Sequence, residues 1–211
     1  MKSGSSWLNA VQINPLDFAE IDYLDPALKE GHKVLYDRIL NINIRFQDRF
    51  SEVQELSQPE PIRLRDIIQL RGTDSNPQSI KIEISSDKDL FFLFNHEATV
   101  NGFTQIKALQ NLQMPFKDYA QIAIATLNKV EQNYNGYGAI FQVMLDGSAR
   151  LEINQTTEFR SVHMIYFDFH QVEESFLRQT IVFKYNQQRK EIKYLSQSLN
   201  ECRMRVTGTF K

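Results

Sequence analysis

The chain has 211 residues, a formal net charge of -2 and a sequence pI near 6.1, which excludes a global pull toward nucleic acid or acidic membrane surfaces. At 42% hydrophobic and 24% charged residues it has the composition of an ordinary globular protein, long enough to bury a core in one domain with appendages or in two small domains. The single cysteine, Cys202, excludes an internal disulfide and a multi-cysteine metal site and fits a reducing compartment.

Residues 1–32 read as an extension, with Pro15 and Pro26, several acids and scattered apolar residues (Trp7, Leu8, Val11, Phe18, Ile21, Tyr23, Leu24). It reads either as a strap over the rest or as a tail. Its start lacks the basic end and apolar block of a signal peptide, and no apolar run approaches the ~18 residues of a membrane span. A β-rich head follows, over 33–172. Leu40, Ile42, Ile44 and Phe46 alternate with polar residues, the period of a half-buried strand. Ser57–Pro61 is a polar connection, Ile62–Leu70 a second strand with blurred phase, and Thr73–Gln78 a turn by composition. Ile80, Ile82 and Ile84 alternate with Lys81, Glu83 and Ser85, the cleanest strand in the chain. The aromatic run Phe91-Phe92-Leu93-Phe94 is expected to end a strand in an elbow.

A helical pair then occupies about 98–132. Val100, Phe103, Ile106, Leu109 and Leu112 form one stripe; Pro115 interrupts; Phe116, Tyr119, Ile122, Ile124, Leu127 and Val130 form a second. Strands return at Ala139–Leu145 and Arg150–Gln155. Asp146-Gly147 between them predicts a tight primed turn. Thr156–Arg160 makes the next turn and carries one lone aromatic, Phe159, between Glu158 and Arg160. The strand after it is apolar on both faces (Val162, Met164, Tyr166 against Ile165, Phe167, Phe169), which predicts cover on both sides. From Glu173 to about Thr207 there is no Pro and no Gly. Ile192, Leu195, Leu199, Cys202 and Val206 follow 3-4 spacing, a heptad seam that continues imperfectly backward through Gln188, Tyr185 and Ile181.

Chemistry-bearing patterns are missing. The four histidines are far apart in sequence and lack metal-ligand spacing; no glycine-rich phosphate loop occurs; no catalytic set can be read. No cofactor, no metal and no enzymatic activity are expected. Two basic stripes, Arg63-Arg65-Arg71 and Arg189-Lys190-Lys193 with Arg203 and Arg205, are diluted by Asp66, Glu191 and Glu201 and read as solvated faces.

The order of these motifs resembles the N-terminal head of the centriolar cartwheel protein family, spindle assembly abnormal protein six and its short "like" paralogue. Asp87–Phe94 stands for the family's acid-rich turn and FFLY, with Phe94 in place of the tyrosine. Gly102–Lys107 stands for its DFxxLK helix. Gln155–Phe159 and Val162–Phe167 stand for its ETNxF turn and following strand, with Gln155-Thr156-Thr157 in place of ETN. The likeness spans roughly 34–180. It implies an α+β fold: a small antiparallel β-sandwich or barrel head with a helix-loop-helix insert, then a C-terminal helix that starts a parallel coiled coil (173–207).

It further implies a self-assembling scaffold of the centriole, basal body or related microtubule-based cytoskeleton, located in the cytoplasm at the centriole, flagellar base or apical complex. Heads join through Phe159, flanked by Glu158 and Arg160, in a pocket of a neighbouring head. Phe103, Ile106, Phe116 and Tyr119 are candidates for that pocket from their amphipathic positions. The helix makes a homodimer through Ile192, Leu195, Leu199, Cys202 and Val206. Other centriolar or basal-body proteins are expected as partners; membrane and nucleic acid are not. A fragment of the cartwheel protein and the short paralogue both remain open. So does a DNA-repair scaffold sharing the head-plus-coiled-coil plan, which would want a more basic helix than this one.

Overall fold

The computed structural model describes residues 25–47, 53–55, 59–70 and 77–208. A one-turn 3₁₀ segment, Pro26–Gly31, leads into β1 (His32–Gln47), whose Leu40, Ile42 and Ile44 point inward as the alternation requires. The short β2 (Val53–Glu55) pairs with the end of β1, and β3 (Glu60–Leu70) pairs with the rest of it. β4 (Pro77–Ser85) buries Ile80, Ile82 and Ile84 completely. The turn expected at Thr73–Gln78 lies outside the described residues except for Pro77 and Gln78, which open β4.

The aromatic run does not end a strand. Phe91 and Phe92 occupy a turn, and Leu93 opens β5 (Leu93–Thr99), which the sequence reading missed. Thr99 caps helix α1 (Val100–Gln110) by accepting from Gly102 N at 3.2 Å, and Asn111 closes it in the left-handed conformation. Pro115 starts a single 3₁₀ turn, Phe116–Asp118, before α2 (Tyr119–Glu131). The second half of the head is the meander β6 (Tyr137–Val143), β7 (Ser148–Thr156) and β8 (Ser161–Gln171). Only Gly147 takes positive φ between β6 and β7. The connection is thus a Gly-closed loop bonded from Met144 N to Ser148 O at 2.8 Å, not the two-residue primed turn expected.

The strands run β2-β1-β3-β4-β5-β8-β7-β6, and β6 returns to β1, so every strand but β2 lies in a closed barrel. Closure is made by a parallel pairing, Asn43–Phe46 against Ile140–Val143, so the barrel is mixed and not purely antiparallel. Its interior is aliphatic at one side and aromatic at the other: Phe92, Phe94, Phe141 and Phe169 stack edge to face at 5.1–5.7 Å between ring centres. The expectation that β8 is covered on both sides also fails. Ile165, Phe167 and Phe169 fill the core, whereas Met164 and Asp168 remain exposed on the other side.

β5 and β8 share only two register pairs, Phe94–Gln171 and Asn95–His170. Beyond them, side chains complete the ladder. Gln110, at the end of α1, donates to Tyr166 O and accepts from Tyr166 N, both at 2.9 Å. His96 reaches Asp168 O at 2.7 Å. The insert is thereby bonded into the barrel wall.

Helix α3 (Glu174–Gly208) rests on the head by its first turns. Leu177 and Thr180 are buried, and Lys184 donates to Ser85 Oγ at 3.2 Å. This contact buries Glu83 and Ser85 on the outward face of β4, a face that alternation alone assigns to solvent. Lys29 of the 3₁₀ segment adds a bond to Gln179 of α3 at 2.7 Å.

Candidate self-assembly interface

The β7–β8 turn is built to hold one side chain out. Thr156 and Ser161 close the ladder as the last register pair. Thr157 N donates to Arg160 O at 2.9 Å. The Thr157 hydroxyl donates to the same oxygen at 2.8 Å and accepts from Arg160 N at 3.2 Å. The root is braced by the α2–β6 connection: Gln155 Nε2 donates to Asn135 O at 3.2 Å, and a Cβ on Gly136 would lie 2.2 Å from Thr156 O. Phe159 is 92% exposed at the tip, with Glu158 and Arg160 exposed beside it. The Phe159 ring stands clear of the barrel. Just beyond the turn, Met164 is the extra residue of a bulge (Ile153 opposes Ile165, Asn154 opposes His163) and adds apolar surface, 40% exposed.

The four residues expected to receive such a knob separate into two kinds. Phe103 and Tyr119 are core residues, with ring centres 4.9 Å apart, and are closed to a partner. Ile106 and Phe116 are half-buried. Phe116 packs on Phe103 at 5.4 Å. Ile106 faces a cleft of about 490 Å³ between α1, the parted strands β5 and β8 and the root of α3, where Tyr166, Val172 and Phe176 supply apolar wall and Glu97, Asp168 and Glu173 acidic groups. The predicted stripe on α1 does not bury as a unit: Phe103 goes inward while Val100 and Leu109, about half a turn of the helix apart, stay exposed on different sides.

His96 supports this region, and sequence reasoning missed it. The Asp168 carbonyl can only accept, so Nδ1 carries the hydrogen, and Nε2 accepts from the Tyr119 hydroxyl at 3.1 Å. Burial pushes the imidazole below its ordinary range, toward the neutral form that this pair of bonds needs. The available signal was its place in β5, between inward-facing Phe94 and Ala98.

On α3 the expected seam is bare. Ile192, Leu195 and Leu199 are each more than half exposed, and Cys202 is exposed; the side chain of Val206 lies outside the described residues. Tyr185, one heptad back, is 60% exposed. The basic stripe on β3 is spent on structure. Arg63 makes a two-pronged bond to Asp37 at 2.8 and 2.9 Å, and Arg65 joins Asp25 at 2.7 Å and Glu83 at 3.5 Å. Arg71 lies outside the described residues. No group of three or more His, Cys, Asp or Glu side chains that could hold a metal occurs among the described residues.

The family model described as the centriolar protein SAS N-terminal domain matches residues 34–169. The chain belongs to this SAS-6 N-terminal domain family. Among solved structures, an N-terminal fragment of Leishmania SAS-6 that contains part of its coiled-coil domain superposes with a TM-score of 0.64 at 14% identity, over 85% of this chain and 99% of that one. The N-terminal coiled-coil dimer of C. elegans SAS-6 gives 0.61 at 14% identity, over 78% and 96%. The Leishmania SAS-6 N-terminal domain gives 0.57 at 16%, over 67% and 99%. These likenesses establish the fold of a SAS-6 head with the first part of its helix. No curated protein matches the chain in sequence.

Proposed function

We propose that this chain is a self-assembling structural scaffold of the centriole or basal body, with two contacts of different character. Heads associate through Phe159, and helices pair through the seam from Tyr185 to Cys202. The observation that carries the reading is Phe159, 92% exposed at the tip of a turn closed by hydrogen bonds between Thr157 and Arg160. Rigid presentation removes the ordering cost that a mobile aromatic would meet on binding.

The receiving surface in this reading is the insert side of a neighbouring head. Ile106 opens it to the cleft, where Tyr166, Val172 and Phe176 supply apolar wall. Phe103 and Tyr119 form the floor beneath it. Arg160 beside the knob complements Glu97 and Glu173 at the cleft. Burying one Phe contributes about 2–3 kcal/mol, too little for a stable pair of heads after the cost of association. Helix pairing makes each unit bivalent, and a closed ring then converts weak head contacts into a stable assembly. The coiled-coil dimer formed by the C. elegans relative supports the second contact.

Sedimentation velocity over a concentration series tests this, on the chain and on Phe159→Glu, with circular dichroism as the control for folding. Concentration-dependent association that the folded variant loses in part or whole supports the head contact. Identical behaviour of the two proteins removes Phe159 from assembly.

A further inference from the structure

Strand β1 has one edge that the barrel leaves open. On its β3 side it is paired from His32 to Ile42, but on its other side the ladder with β6 begins only at Asn43. Residues 36–42 thus present an edge to which no described strand is bonded. Arg38 marks the opening: it stands in the inward phase between Tyr36 and Leu40, both buried, yet it is exposed. A groove of about 380 Å³ lies where β1 and β6 part, lined by Ile39, Asn41 and Asn43, by Tyr137 and Gly138, and by Val130 at the end of α2. Ile39 is exposed there, and nothing lies within 4 Å of the position that a Cβ on Gly138 would take. A strand glycine with open space beside it lets another backbone come close, and an open strand edge is a template for an added strand.

The chain ahead of β1 has a sequence that suits this edge. Residues 1–24 lie outside the described residues, but the point where they enter the head is fixed. Asp25 is buried, bonded to Arg65 of β3 at 2.7 Å and to Ala27 N at 2.9 Å. From β3 to the far edge of β1 is about two strand spacings, ~10 Å. Residues 14–24 span up to roughly 35 Å when extended, so the residues before them can reach the groove. Those residues read Trp7-Leu8-Asn9-Ala10-Val11-Gln12-Ile13. The stretch is uncharged and holds strand-forming Trp, Val and Ile. In an extended chain Trp7, Val11 and Ile13 share one face. Pro15, which cannot donate to a ladder, follows at its end.

We infer that residues 7–13 add to the open edge of β1 as an extra strand, so that the chain's own N-terminal segment closes the groove between β1 and β6. The inference rests on neither assembly contact. Its consequence is selectivity: an uncovered edge pairs heads edge to edge, and a covered one leaves association to Phe159 and α3.

Trp7 is the single tryptophan, so its fluorescence reports on the segment in the full chain. The expected result is blue-shifted emission and acrylamide quenching several-fold weaker than in the urea-unfolded chain, both independent of protein concentration. Ile39→Asp places a charge at an exposed position of the groove and should release Trp7 to unfolded-like quenching, with the far-UV circular dichroism of the head unchanged. A second variant works from the other side. Val11→Asp with Ile13→Asp should raise hydrogen exchange at residues 37–41 about tenfold or more while the amides of β4 stay protected. Trp7 quenched as freely as in the unfolded chain, or protected equally in Ile39→Asp, overturns the inference. So does exchange at residues 37–41 that is the same in the wild type and the Val11→Asp, Ile13→Asp variant. Protection that grows with concentration overturns it as well and assigns the segment to the groove of a second copy.

Discussion

Thr157 and Arg160 are tied by three hydrogen bonds across the tip of the β7–β8 turn, two of them made by the Thr157 hydroxyl. These bonds restrain the backbone that carries Phe159. Thr157→Val keeps the shape and removes both hydroxyl bonds. On an exposed turn each is worth about 0.5–1.5 kcal/mol at most, so the melting temperature should fall by only a few degrees. Head association, measured by sedimentation velocity, should weaken several-fold because the tip must be ordered on contact. A loosened turn with unchanged association would mean that the rigidity of the tip is irrelevant to assembly.

His96 predicts a pH dependence with a definite sign. Its folded-state pKa lies below the ordinary 6.5, so the unfolded chain binds its proton first as pH falls. Stability present above about pH 6.5 is then lost below it, by at most ~1.4 kcal/mol per pH unit. Glu83 acts in the opposite direction: burial raises its pKa above the ordinary 4.5, so the folded state takes up that proton first and gains stability as pH falls toward 4.5. Urea unfolding at pH 7.5 and 5.5 separates the two. His96→Gln should flatten the loss in that window, and Glu83→Gln should remove the opposing gain as pH falls toward 4.5. An identical pH slope in His96→Gln and wild type would show that the imidazole is not buried neutral.

The strands and the exposed place of Phe159 were legible in the sequence for a physical reason: Ile80-Ile82-Ile84 and Leu40-Ile42-Ile44 follow a two-residue period, and Phe159 stands alone in a polar turn. β5 was hidden because its inward register is Phe94, His96, Ala98. A polar residue occupies the central core position, and only a long-range bond to Asp168 makes it tolerable there. The stripe on α1 misled for a different reason. A strict three-residue spacing falls about 60° short of a full turn at each step, so the apolar row winds round the helix and carries Val100 and Leu109 out of the buried face. The parallel β1–β6 closure depends on contacts nearly a hundred residues apart and leaves no local pattern.

Arg65 is the ion pair on which the head–helix junction depends. Its guanidinium, with a side chain 14% exposed, joins Asp25 of the N-terminal segment and Glu83, whose side chain is 3% exposed beneath α3. Arg65→Met leaves a buried carboxylate without its partner, and a loss of about 3 kcal/mol or more is expected in chemical denaturation. Adding Glu83→Gln should restore part of that loss, because one of the two buried carboxylates that Arg65 joins is then uncharged, while Asp25 remains. A double variant as unstable as the single would place the cost elsewhere than in Glu83.

Two glycines with nearly the same backbone conformation should respond differently to one methyl group. Gly147 has φ +82 and open space at its Cβ position; Gly136 has φ +75 and the Thr156 carbonyl 2.2 Å from that position. Gly147→Ala should cost only the ~1 kcal/mol of placing a side chain at positive φ. Gly136→Ala carries the same strain and must also push away the backbone at the root of the Phe159 hairpin, for which no flexible side chain can yield. It should cost clearly more than Gly147→Ala in thermal unfolding. It should also weaken head association at temperatures where the protein remains folded, whereas Gly147→Ala should leave association unchanged. Equal effects of the two on association would separate the α2–β6 connection from the presentation of Phe159.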